Sequence, residues 1–177
     1  MEVVRRRSLV DRMKGAALLQ IDVYEEVEHD ATATPQAAGV VGIVAVAHAI
    51  GGLDAGVGGL FAGLIGAYIG WLAWSGVTYV IGDKLLGGTA TWGELLRTIG
   101  FAQTPGILMV FGIIPILGAL VGLVAFVWVL VAGIVAIRQA LDFGTGKAIL
   151  TAVLGWAALL IVQGILKVIF GLPFAVA

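Results

Sequence analysis

The stretch RTIGFAQTPGILMVFGIIPILG, Arg97 to Gly118, decides how the chain is read. It is apolar enough to enter a bilayer, yet it carries Gln103, Thr104 and two prolines, Pro105 and Pro115. A proline inside a helix lacks the N–H donor, clashes with the preceding turn, and biases the residue before it away from the α region. The stretch therefore predicts a membrane helix that kinks or breaks at Pro105 and frees nearby carbonyls, with Gln103 and Thr104 placed to satisfy them.

Composition supports a membrane setting throughout. Of 177 residues, 60% are hydrophobic and only 12% charged, against roughly 25% charged in soluble domains, and the mean hydropathy is +1.10. The 27 glycines follow no collagen period and sit mostly within apolar runs, where they favour close helix contacts. Cysteine is absent, which excludes disulfides, thiolate catalysis and cysteine-ligated metals. A net charge of −1 offers nothing to nucleic acid. The bias toward alanine, glycine and valine, with no asparagine, points to a GC-rich bacterial source.

Five apolar segments are expected as spans: 35–53, 57–81, 97–116, 118–137 and 148–170. Thr34 reads as the cap of the first, with Pro35 in its opening turn. The second carries Tyr68, Trp71, Trp74 and Tyr79 toward its later half. Thr91 and Glu94 have capping-box spacing, so the third helix should begin near Thr91. No segment alternates apolar and polar residues, which excludes a membrane β-barrel. The expected fold is all-α, a polytopic transmembrane helical bundle of five spans.

Ahead of the spans, residues 1–33 form a segment of mixed charge. Ser8 and Asp11 have capping-box spacing, and Leu9, Met13, Ala16 and Ala17 with basic Arg12 and Lys14 make a short amphipathic helix. It is expected on the membrane surface with its basic residues toward headgroups. The acidic run IDVYEEVEHD follows where a signal peptide would need an apolar core, so the segment should be retained. It is expected to present a solvated acidic face that pairs with the preceding arginines.

Basic residues set a topology. Arg5, Arg6, Arg7, Arg12 and Lys14 precede the first span, Lys84 and Arg97 fall between the second and third, and Arg138 and Lys147 between the fourth and fifth. The turns at 51–56 and 112–117 and the tail after Phe170 hold none. The positive-inside rule places the amino terminus in the cytoplasm and the carboxyl terminus outside the cell membrane. Lys167 is the exception and can snorkel to the interface.

A few residues could carry chemistry. His48, among alanines and glycines near the outer end of the first span, could serve as an axial ligand to haem or pigment, although one imidazole alone makes no cofactor site. Glu26 and His29 have the Glu-x-x-His spacing of carboxylate metal centres, but those need a second copy. The run GTGK, Gly144 to Lys147, lacks the glycine at Leu141 and the hydroxyl at Ala148 that a phosphate loop requires. Catalytic, metal and cofactor sites are not expected. Gln103, Thr104 and Pro105 form a candidate intramembrane polar site. Gly59 with Gly63, Gly66 with Gly70, and Gly118 with Gly122 have the four-residue spacing of close helix packing, within the bundle or against another protein.

From Ile99 to Leu150 the sequence resembles the core of the Yip family, the Ypt-interacting membrane proteins. The family's glycine-aromatic-small-x-x-proline element matches Gly100, Phe101, Ala102 and Pro105. Its lysine-alanine pair after a cytoplasmic turn matches Lys147 and Ala148. The resemblance covers roughly residues 34–170 and implies a prokaryotic member with five helices and a cytoplasmic amino terminus. In eukaryotes it implies interaction with prenylated Rab-type GTPases; here the segment that would meet one is only about 33 residues long. Two functions then stand: a non-enzymatic scaffold or interaction subunit that packs against itself or other integral membrane proteins, and a small transporter or channel built on the broken third helix. An accessory subunit of a pigment or haem complex, using His48, comes third.

Overall fold

A computed structural model describes residues 7–52, 56–114 and 116–170, with the side chains of 56–57 and 162–170 outside that description. Within it the chain forms α1 (Leu9–Ala17), α2 (Ile21–His29), α3 (Thr34–Gly51), α4 (Gly56–Tyr79), α5 (Trp92–Ala102), α6 (Leu117–Ala140) and α7 (Thr145–Phe170). Among the described residues there is no strand. Each apolar helix thus satisfies its backbone internally, as hydrocarbon demands. Four stretches, Ala31–Gly51, Gly58–Leu85, Trp92–Ile113 and Leu117–Ala140, are long and apolar enough to cross a membrane, and the described apolar part of α7, Thr145–Ile161, is shorter. The protein is an all-α, multi-pass transmembrane bundle.

The helix ends follow local chemistry. Thr91 Oγ1 accepts from the Glu94 N–H at 3.3 Å while Glu94 Oε2 accepts from the Thr91 N–H at 2.7 Å, so both halves of the capping box form. Ser8 Oγ likewise accepts from the Asp11 N–H at 3.2 Å and starts α1. At α3 the expectation shifts by one residue. Ala33 is the cap and Thr34 is already helical, because a 3₁₀ turn over Ala31–Ala33, nucleated by the Asp30 carboxylate on the Thr32 N–H, leads straight into it. The second span also runs past Ile81 as a π turn over Val80–Leu85. The last two helices extend beyond their apolar runs, to Ala140 and back to Thr145.

Aromatic donors on α4 bind it to its neighbours. Tyr68 Oη donates to the Ala38 carbonyl on α3 at 3.1 Å, and Trp71 Nε1 donates to the Leu96 carbonyl on α5 at 3.0 Å. In lipid such bonds and close backbone contact, rather than a hydrophobic drive, hold helices together. Close contact is most pronounced around α3: a methyl group added at Gly100 would stand 2.8 Å from Ala37 Cβ, and one at Gly51 would stand 2.0 Å from the Met109 carbonyl oxygen.

The segment before the spans folds into a cap. The run IDVYEEVEHD becomes α2, which buries Val23, Tyr24 and Val27 against the bundle. The headgroup orientation expected for the basic face of α1 is corrected at Arg12, which is 1% exposed and turned inward. Its guanidinium donates to Glu26 Oε1 at 2.8 and 3.0 Å, to Asp30 Oδ2 at 2.6 Å and to Gln36 Oε1 at 2.8 Å. A planar fork with several donors satisfies three acceptors at once, which headgroup contact would not require. The acidic residues of α2 do pair with the arginines before them. Arg7 adds bonds to Asp22 and, at 2.7 Å, to Glu26.

Candidate functional site

The third apolar segment does not continue as one α-helix. It stops at Ala102 and resumes as a 3₁₀ helix over Thr104–Ile113, with Pro105 in its first turn. Thr104 Oγ1 donates to the Phe101 carbonyl at 2.7 Å and satisfies one of the groups that the proline strands. Gln103 closes the α-helix, and its own carbonyl accepts from the Gly106 N–H at 2.8 Å. Among the described residues, the Gln103 side chain is half-buried and meets no hydrogen-bond partner. Thr104 and Pro105 are buried.

The break lies against α3, where the sequence gives no hint of a meeting with His48. A methyl group on Gly106 would stand 2.8 Å from Val44 Cγ1 and 3.8 Å from His48 Nε2. The imidazole therefore flanks the turn that follows Pro105, and two polar features 55 residues or more apart in sequence share one region. His29 is elsewhere, its Nδ1 on the Glu25 carbonyl at 2.8 Å. Among the described residues no group of three or more His, Asp or Glu side chains could hold a metal.

The glycine pairs separate by use. Gly118 is buried, and a methyl there would stand 2.8 Å from Gly112 Cα; one at Gly122 would stand 3.6 Å from Met109 Sδ. These positions seat α6 against the 3₁₀ segment. By contrast, methyl groups at Gly63, Gly66 or Gly70 would meet nothing within 4 Å among the described residues, and these glycines are exposed. Gly59 is half-buried. On α4 the glycines line an outward surface beside exposed Phe61, Ile65 and Ile69.

The two ends of the family-like pattern are packing positions. Phe101 is fully buried beside Gly100, and Ala148 is fully buried at the start of α7. Lys147 Nζ donates to the Leu86 carbonyl at 3.3 Å and lies 5.1 Å above the Phe143 ring, so the GTGK lysine ties two turns together.

Charges at the cap are arranged more tightly than spacing reveals. Arg97, expected at the cytoplasmic end of the third span, lies in α5 and is buried; its Nε donates to the carbonyls of Val27 at 2.9 Å and Glu28 at 3.0 Å. A fixed cation thus caps the carboxyl end of α2, where the helix dipole is negative. Glu28 is also buried, and burial pushes its carboxyl up to about 7, with the charges of Glu94, Asp142 and Glu25 raising it further against the opposing pull of His29. Bonds from Thr32 and Arg12 hold Asp30 down at about 2. At Glu26 burial pushes upward, yet the bonds from Arg12 and Arg7 leave the carboxyl lowered. Glu26 is therefore an ion-pair partner of two arginines. In α4, Ser75 Oγ and Thr78 Oγ1 are buried with no partner among the described residues, just before the π turn; nothing in the sequence distinguishes them from ordinary span hydroxyls.

The outer turn at 53–55, Pro115, the Lys167 side chain and the tail after Phe170 lie outside the described residues. No curated protein and no solved structure matches the chain. The family model of the Yip1 domain matches residues 30–166, from the cap's last residue into α7 and through the Gly100–Pro105 element. Matched over more than three quarters of its length, the chain belongs to the Yip1 domain family, a family of membrane proteins.

Proposed function

We propose that the protein is a non-enzymatic scaffold of the cell membrane that binds laterally to itself or to other integral membrane proteins. The observation that carries this reading is the outward glycine face of α4. Among the described residues, a methyl group at Gly63, Gly66 or Gly70 would meet nothing within 4 Å, whereas Gly118 and Gly122 are spent on internal packing. Glycines facing outward let another helix approach closely enough for dispersion and weak backbone contacts to act. The amino-terminal cap meets the Arg138 end of α6, where Gln139 Nε2 donates to Glu25 Oε1 at 3.1 Å, and this supports a cytoplasmic amino terminus and an outer carboxyl terminus under the positive-inside rule. The reading does not include a small GTPase: that role comes by family analogy alone, and Arg7, Arg12 and Glu26 of the short cap are paired within the chain. Gentle purification from native membrane, with mass-spectrometric identification of co-migrating species, tests the proposal.

A second reading is supported by the meeting of His48 with the break after Pro105. Discontinuous helices at depth form binding sites in transporters, and the half-buried Gln103 amide, which meets no partner among the described residues, lies at that break. Flux lost in Gln103→Leu with folding unchanged would favour this transporter reading over the scaffold. An accessory role in a haem or pigment complex would instead show as an absorbance band lost in His48→Ala.

A further inference from the structure

The carboxyl end of α1 leaves no backbone carbonyl open. A left-handed turn at Leu19 (φ 59°) returns later N–H groups to the last carbonyls, as many helix ends do in water or in protein; in hydrocarbon every carbonyl must find an internal donor. Here the last four all do. Lys14 O accepts from Leu18 N–H at 2.9 Å, Gly15 O from Gln20 N–H at 2.9 Å, and Ala16 O from Leu19 N–H at 3.0 Å. Ala16 O also accepts from the Tyr24 hydroxyl at 3.0 Å, and Ala17 O accepts from the Trp128 indole at 2.7 Å.

The position of Trp128 supplies the depth. It sits in the middle of the 24-residue α6, and the ten residues from there to Arg138 rise about 15 Å. That is about half the hydrocarbon thickness of a bilayer. An indole is too short to span that distance, so the Ala17 carbonyl lies below the level of Arg138. A second helix gives the same result: α1 packs against the 3₁₀ segment Thr104–Ile113, which starts twelve residues, about 18 Å, from the Trp92 end of α5.

The turn after α1 is open and carries two exposed apolar side chains beside the uncharged, exposed Gln20, with exposed Lys14 one turn earlier in α1. Leu18 is 66% exposed and Ile21 45% exposed, while the charged groups of the cap, Arg7, Arg12, Glu26 and Asp30, bind one another around the α1–α2 crossing. Asp22, next to Ile21, is neutralised by Arg7. We infer that the Leu18–Ile21 turn is a re-entrant tip, seated among the acyl chains of the leaflet on the Arg138 side. The inference rests on the transmembrane fold and not on the scaffold reading, so either can fail alone.

The chain has no cysteine, which allows single labels at chosen sites. Leu18→Cys, Ile21→Cys and Glu25→Cys, each carrying a nitroxide, are reconstituted as full-length protein in phosphatidylcholine–phosphatidylglycerol vesicles. Collision with oxygen, which concentrates in lipid, is compared with collision with a water-soluble nickel chelate. Labels at 18 and 21 should favour oxygen several times more than the label at 25, and Trp128→Phe should lower that preference at 18. Labels at 18 and 21 as open to nickel as the label at 25 would overturn the inference, because the tip would then lie in water. Labels closed to both reagents would overturn it too, because the tip would then be packed in protein.

Discussion

Arg97 Nε donates to the carbonyls of both Val27, at 2.9 Å, and Glu28, at 3.0 Å, so a cation on α5 closes the end of a helix 69 residues earlier in the chain. Hydrogen bonds from charged groups contribute about 1.5–3 kcal/mol, and the carbonyls left behind would be buried. Arg97→Ala is expected to undock α2 at a cost of about 2–3 kcal/mol. Hydrogen exchange over residues 21–29 should rise while exchange in α6 stays unchanged. Arg97→Lys should rescue only partly, since an ammonium lacks the planar fork.

The buried Arg12 cluster gives a larger effect. Removing one member leaves Glu26 and Asp30 as facing carboxylates, and breaking a buried pair costs about 3–5 kcal/mol. Arg12→Met should therefore release the cap to protease in detergent. A combined Arg12→Met, Glu26→Gln variant should recover part of the loss, and a double change no better than the single one would show that Glu26 is not the partner that matters.

Acidity should tune the same docking. Glu28 in the folded protein titrates at about 7, above the ordinary glutamate value of 4.5, so folding favours its protonated form. Its contribution is complete below about 4.5 and is lost as pH rises through about 7. Exchange of α2, corrected for the intrinsic rise of exchange with pH, should speed up between about pH 4.5 and 7 and level off above that, and Glu28→Gln should flatten that profile; a profile unchanged by Glu28→Gln would assign the effect elsewhere. The Asp30 bonds act in the other direction, present above its ordinary 3.8 and lost only as pH falls through about 2.

Two glycine substitutions should diverge. Gly51→Ala places a methyl 2.0 Å from a backbone carbonyl, so α3 and the 3₁₀ segment must separate. Overpacking of this kind costs about 1–3 kcal/mol, and the melting temperature in detergent should fall. Gly66→Ala meets nothing within 4 Å among the described residues and should leave that temperature unchanged, since any effect would fall on lateral association.

Much of this architecture is written in the sequence. The capping box at Thr91 and Glu94 is local chemistry, and so is the interruption at Pro105, because a missing N–H has the same consequence in any fold. What the sequence conceals is long-range. Nothing near Arg12 announces that it faces Glu26, Asp30 and Gln36 rather than phosphate, since an amphipathic helix looks alike on a lipid surface and on a protein one. The acidic run before the first span carries buried Val23, Tyr24 and Val27 at helical spacing, a signal masked by its charges. His48 beside Gly106 and Trp128 beneath Ala17 arise only from tertiary approach.

The scaffold reading is tested most directly by comparing wild type with a Gly66→Leu, Gly70→Leu variant after gentle extraction from native membrane. The account predicts a discrete species containing a stoichiometric membrane partner or a second copy, lost in the variant while its melting temperature is retained. Wild type that migrates alone, or a complex that survives the double substitution intact, would contradict it.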